Sequence, residues 1–232
     1  MLKLSTLLAA AAFTVTSLSG ISSANALTST TRTASPKPPA DVVMVATNRK
    51  EVNPKFKKQI VRFSTTEKPG TIIVDTNNKF LYYTLGNNRA IRYGIGVGRE
   101  GFGWSGVVKV RRKAEWPGWT PPPQMIARER KKGHILPAYM PGGEDNPLGA
   151  RALYLYNGGG DSGFRIHGTN QPWSIGQNMS SGCIRMMNKD VTDLYERVAL
   201  GTKVIVVGPG NRQGNVQYDD RGVDILRTLF GG

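Results

Sequence analysis

A chain of 232 residues with one cysteine and two histidines cannot build an intrachain disulfide framework, nor the zinc sites made from paired Cys-x-x-Cys motifs. Whatever Cys183 does, it does as a thiol or thiolate. Acidic residues are also few, 16 against 31 Lys and Arg, for a formal net charge of +15. Long apolar runs are missing: the most apolar stretch, residues 4–15, is about a dozen residues, where a membrane-spanning helix needs about 20. Lys3 precedes it and Ala24-Asn25-Ala26 follows, so residues 1–26 read as a secretory leader cut near Leu27, leaving a mature chain without a transmembrane segment. Export removes nucleic acid as a partner for the positive charge. Cell-wall polymers and outer-surface glycolipids remain as the polyanions within reach.

Residues 27–40, LTSTTRTASPKPPA, cannot bury enough surface to fold and read as a tether. The basic stretch after it is expected to wrap the domain edge, so 27–69 counts as linker and extension, and the compact part starts near Pro69-Gly70. From there strand signals dominate. Residues 71–76, 80–85 and 90–97 form a meander, with Asn77-Asn78 as the two-residue hairpin turn and Asn87-Asn88 as a second break. Residues 107–114 alternate apolar and basic, the period of a half-buried strand. Residues 115–150 hold seven prolines and read as a long irregular excursion, a length that in a compact domain points to function. Strands resume at 152–156, 163–167 and 203–207. One helix stands out, with Asn188 as its cap and Val191, Leu194, Tyr195 and Val198 as its apolar stripe. The tail, 209–232, is polar except for 223–230.

Three patterns imitate known sites. Gly96-x-Gly98-x-x-Gly101 and Gly158-x-Gly160-x-x-Gly163 match a dinucleotide fingerprint but lead into no amphipathic helix, so no helix N-terminus is offered to a phosphate. Gly160-Asp161-Ser162-Gly163 resembles the nucleophile segment of trypsin-like proteases, yet only His134 lies upstream of it. His134, His167 and Cys183 supply three possible zinc ligands without any metal-binding spacing. The sequence calls for no metal and no cofactor.

The segment from His167 to Met186 is different. A lone cysteine is often just a small buried apolar residue, but Cys183 follows Ser180-Ser181-Gly182, Arg185 lies two residues on, and His167 ends a strand beside a loop. A thiol needs a base or a positive field to become a nucleophile near neutral pH. His167 can take its proton and later return it to an amine leaving group. Backbone N–H groups around Gly182 and Cys183 can form an oxyanion hole, and Arg185 can grip a carboxylate with two parallel hydrogen bonds. These are the parts of a cysteine acyl-transfer site.

His-Gly, a gap of about fifteen residues and then Ser-x-Gly-Cys-x-Arg resembles the signature of the L,D-transpeptidase catalytic domain (YkuD) family. The resemblance covers residues 70–208 and includes Met140-Pro141-Gly142-Gly143, Asn146-Pro147-Leu148-Gly149 and Arg151-Ala152-Leu153, which are similar to segments of its periplasmic members. It implies a mostly β fold, a sandwich of mixed sheets with one main helix after the catalytic loop. It also implies a periplasmic enzyme acting on peptidoglycan stem peptides. Cys183 then attacks the carbonyl of the third stem residue, usually diaminopimelate, D-alanine leaves, and an amine takes the acyl group. That amine belongs to another stem or to an outer-membrane protein.

By the same resemblance His167 is the base and the Gly168 carbonyl orients it. Gly182 and Cys183 donate to the oxyanion, while Arg185 and Ser180 serve the substrate. Ser181, also a substrate-binding candidate, stands where many members carry a second His. Trp173 and Tyr139 are further substrate-binding candidates, and the 115–150 excursion, with Trp116 and Trp119, is expected to act as a lid. An L,D-carboxypeptidase using water and a non-catalytic wall-binding module are the alternatives.

Overall fold

The computed structural model describes residues 52–99, 103–208 and 217–223. The expected leader, the tether and the stretches 209–216 and 224–232 of the tail lie outside the described residues. Eleven strands belong to one mixed sheet among those residues. In chain order they are β1 (Gln59–Thr65), β2 (Ile72–Asp75), β3 (Phe80–Gly86), β4 (Arg89–Gly98), β5 (Gly106–Glu115), β6 (Arg151–Asn157), β7 (Gly160–His167), β8 (Asn178–Ser180), β9 (Ile184–Met186), β10 (Lys203–Val207) and β11 (Tyr218–Val223). Helix α1 spans Pro123–Arg130 and helix α2 spans Asn188–Arg197. The sheet order is β11-β1-β4-β3-β2-β10-β5-β6-β7-β9, and β9 also pairs with β4. Eight of the strands therefore return on themselves around an apolar interior. Most pairs are antiparallel; β2/β10, β7/β9 and β4/β8 are parallel.

The middle strands are buried on both faces, which is why Ile72-Ile73-Val74 and Val204-Ile205-Val206-Val207 read as unbroken apolar runs. Ile72, Val74, Val204 and Val206 face one cluster, together with Tyr93, Ile166 and Ile184 and with Val191 and Leu194 of α2. Ile73, Ile205 and Val207 face a second cluster, built with Val61, Phe63, Phe80 and Tyr82. The result is a mostly β sandwich with one main helix.

One end of the sheet, β11-β1, is built from residues on both sides of the expected 70–208 boundary. β1 lies in what reads as linker, yet Val61 and Phe63 are fully buried, and β11, from the expected tail, pairs with it. Phe63 stacks on Tyr82 at 4.4 Å and on Tyr218 at 5.5 Å, and those two rings also touch each other at 5.9 Å. Phe63→Ala is expected to destabilise the fold by about 3–5 kcal/mol, read as a lower urea midpoint; a loss below about 1 kcal/mol would show that β1 is peripheral.

The turns differ from expectation in one instructive way. Asn87 and Asn88 both have φ near +50°, the two left-handed positions of a type I′ hairpin, and Gly86 pairs with Arg89 across them. Asn77-Asn78 sits instead in a longer turn, where the Asp75 carboxylate accepts the Asn78 N–H at 2.9 Å and Lys79 takes the left-handed position.

Helix α1 inside the 115–150 excursion was not expected. Pro121-Pro122-Pro123 reads as a helix breaker, but proline is tolerated in a first turn whose N–H groups lack partners anyway. None of its residues is buried, so it shows no apolar stripe. At the other end of the excursion, buried Asn146 donates to the Met140 and Pro141 carbonyls at 3.2 and 2.8 Å and accepts the Leu148 N–H at 2.9 Å.

Candidate active site

β7 and β9 run parallel, with Ile166 opposite Ile184 and His167 opposite Arg185. Side chains alternate along a strand, so Ile166 and Ile184 enter the core together and His167 and Arg185 share the other face. Arg165, two residues before His167, is on that face too. Cys183 immediately precedes β9. Both the Cys183 sulfur and the His167 ring feel the charges of Arg165 and Arg185, which places thiol, imidazole and two guanidinium groups in one neighbourhood.

His167 is buried, with Nδ1 2.6 Å from the Gly168 carbonyl oxygen. A carbonyl only accepts, so Nδ1 carries the proton and Nε2 is left as the acceptor of a neutral ring. Burial pushes the imidazole pKa from its ordinary 6.5 down to about 4, with the Arg185 charge adding; backbone hydrogen bonds to Gly168 and Leu148 work the other way. Burial likewise pushes the half-buried Cys183 thiol up, against a hydrogen bond from the Arg165 backbone and the charges of Arg165 and Arg185. At rest the imidazole is therefore a neutral base and the thiol is protonated. Arg165 went unnoticed in the sequence. Its only signal there was its place two residues before His167 on a strand, and its guanidinium is held by Asp161 through two bonds of 2.6 and 2.8 Å.

The turn before the cysteine is knitted from within. The Ser180 hydroxyl donates to the Cys183 carbonyl at 2.5 Å and accepts the Gly182 N–H at 3.2 Å. Gly182 has φ +110°, open to glycine and costly for other residues. Its carbonyl accepts Trp104 Nε1 at 3.0 Å, and that indole stacks on Phe164 of β7 at 4.6 Å. Ser180 is thus a shaper of the loop. Ser180→Ala, which removes both bonds, is expected to cost about 1–3 kcal/mol of loop stability and to slow covalent labelling of Cys183; unchanged labelling would remove Ser180 from the site.

Arg185 Nη1 donates to Gln171 Oε1 at 3.2 Å. Burial lowers the Arg185 pKa, while the guanidinium stays a cation. Ser181 accepts from Arg128 Nη2 of α1 at 3.3 Å, so the excursion touches the cysteine loop. Trp173, on the short helical turn Pro172–Ser174, and Tyr139 are 42% and 60% exposed, large rings open to solvent.

The competing motifs are put to other uses. Ser162 donates to the Leu155 carbonyl at 2.6 Å across the β6–β7 hairpin. His134 sits against Glu129 at 3.2 Å, and among the described residues no group of three or more His, Cys, Asp or Glu side chains is placed to hold a metal ion. Gly96 and Gly98 lie within β4, and Gly160 and Gly163 within β7.

An oriented imidazole and an arginine on adjacent parallel strands, with a thiol just before the second of them, suit acyl transfer. The family model for the L,D-transpeptidase catalytic domain (YkuD) matches residues 69–206, more than half of the chain. The chain belongs to that family. Probable L,D-transpeptidase YbiS of Escherichia coli (strain K12) is 40% identical over 139 residues, which are 58% of this chain and 43% of that protein. The chain thus spans less than half of this curated relative.

A crystal structure of an Enterococcus faecium L,D-transpeptidase C442S mutant is 18% identical with a TM-score of 0.42, covering 60% of this chain and 50% of that one. A Brucella melitensis structure described as a probable carnitine operon oxidoreductase is 48% identical with a TM-score of 0.45, covering 67% of this chain and 96% of that one. That description names another activity and stays with that protein. As a member of the L,D-transpeptidase catalytic domain family, this chain carries the His-Gly and Ser-x-Gly-Cys-x-Arg segments at the meeting of β7 and β9.

Proposed function

We propose that the protein is a periplasmic L,D-transpeptidase in which Cys183 is the nucleophile. The observation that carries this reading is the placement of His167, its Nδ1 proton held by the Gly168 carbonyl, opposite Arg185 on the strand that begins just after Cys183. Nε2 accepts the Cys183 proton as sulfur bonds to the carbonyl carbon of the third residue of a peptidoglycan tetrapeptide stem. The carbonyl oxygen becomes an oxyanion facing the backbone N–H groups of Gly182 and Cys183. As the carbon–nitrogen bond breaks, Nε2 returns the proton to the departing D-alanine amine, leaving a thioester. An acceptor amine then attacks, giving its proton to Nε2, and the sulfur leaves as a thiol. Arg185 holds a carboxylate of the stem. A leader at residues 1–26 delivers the chain to the periplasm, where its positive charge favours the anionic wall.

The acceptor in this reading is an amine, either of a second diaminopimelate or of an outer-membrane protein. The excursion, anchored to the cysteine loop by Arg128 on Ser181, screens the thioester from water. Incubation with a disaccharide tetrapeptide should give cross-linked dimer and free D-alanine, whereas tripeptide alone would identify a carboxypeptidase and no product a binding module. Arg128→Ala should raise the tripeptide-to-dimer ratio; an unchanged ratio would retire the lid.

A further inference from the structure

Asn188 stands where a helix cap is expected, but its side chain makes no capping bond; the cap position belongs to Met187. Its Oδ1 accepts two backbone N–H groups from other parts of the chain, Ala150 at 3.0 Å and Thr169 at 3.1 Å. The second of these matters for the imidazole. The Thr169 N–H and the Gly168 carbonyl belong to one planar peptide group, in which N–H and C=O point in opposite directions. Holding that N–H on Asn188 therefore aims the carbonyl away from α2, and it is the oxygen that receives the His167 Nδ1 proton at 2.6 Å.

The other bond secures the neighbouring loop. Ala150 follows Leu148-Gly149, and the Leu148 backbone is the second group hydrogen-bonded to the imidazole. One side-chain oxygen thus fixes both backbone segments that face the ring.

The fit leaves no slack. A Cβ at Gly168 or at Gly149 would collide with Asn188 Oδ1, so both glycines are required by the approach of that oxygen. Asn188 itself sits on a firm base: it opens α2, its carbonyl accepts the Thr192 hydroxyl at 2.9 Å, and Val191 and Leu194 of the same helix are fully buried.

We infer that Asn188 is the positioning residue that sets the His167 tautomer, keeping the proton on Nδ1 so that Nε2 is free to receive the Cys183 proton. The inference rests on the proposed role of His167 for its catalytic meaning, though not for its structural content. Loss of the oxygen frees the Gly168–Thr169 peptide to rotate, and the ring then populates the other tautomer, in which Nε2 carries the proton and cannot accept another.

The test is ¹⁵N NMR of the His167 ring, with acylation by a carbapenem followed in parallel, in the full chain and in Asn188→Ala and Asn188→Asp. Aspartate keeps an oxygen at the same place. Expected are a protonated Nδ1 in the native chain and in Asn188→Asp, and a shift towards protonated Nε2 in Asn188→Ala. Acylation in the alanine variant should be slower by about 10–100-fold, the usual effect of removing the outer partner of an oriented imidazole, and restored in Asn188→Asp. If Asn188→Ala fails to fold, Asn188→Ser, whose oxygen is too short to reach both amides, takes its place. An unchanged tautomer in the folded variant overturns the inference, as does slower acylation that aspartate fails to restore. Should no chain be acylated while the tautomer still follows Asn188, the nucleophile assignment falls and this inference stands.

Discussion

Replacing His167 with glutamine is expected to slow acylation of Cys183 by about 10²–10⁴-fold, the range that a positioned general base contributes. Because the thiol is raised by burial, few molecules hold a thiolate at neutral pH, and the reaction depends on Nε2 taking the proton during attack. Because the imidazole is lowered to about 4, it is neutral and able to accept a proton at neutral and mildly acidic pH. Acylation by the native protein should therefore stay level from about pH 8 down to about pH 5 and fall only as His167 is protonated near 4. In His167→Gln only the pre-ionised thiolate reacts, and the residual rate should climb about tenfold per pH unit. A native profile that falls instead near pH 6.5 would mean an imidazole open to solvent and unlike the one described.

The same shift acts on stability. The unfolded chain binds a proton at His167 below about 6.5, and the folded chain does so only below about 4. Between those values the unfolded state holds more protons, so stability falls as the pH drops through that window and recovers as it rises. His167→Gln should remove this component of the pH dependence.

The legible parts of the sequence were the local ones. The strands around Ile73, Leu81 and Val206 announced themselves as β-branched and apolar runs, and the His167 to Cys183 segment carries its chemistry within about twenty residues. What escaped depends on contacts across the sheet. β1 hides Val61 and Phe63 on either side of Arg62 and just after a run of lysines, and its burial arises from β4 and β11 on either side. α1 has no buried face to leave a periodicity. Trp104 reaches Gly182 from 78 positions away, and Arg128 reaches Ser181 from 53. Asn188 was read by its commonest use, as a cap, whereas its oxygen is bound to amides that lie 38 and 19 positions upstream.

Cys183 is the one thiol in the chain, so its replacement makes the largest and simplest prediction. Alanine removes the only sulfur able to form a thioester, while the half-buried position and the turn held by Ser180 and Trp104 should survive. Covalent chemistry should then vanish without loss of fold. The native protein and Cys183→Ala, each incubated with a carbapenem, are to be compared by intact mass. Expected are a single adduct of the drug's mass on the native chain and none on the variant. An adduct that persists in Cys183→Ala, or a native chain that stays unmodified while correctly folded, would contradict it.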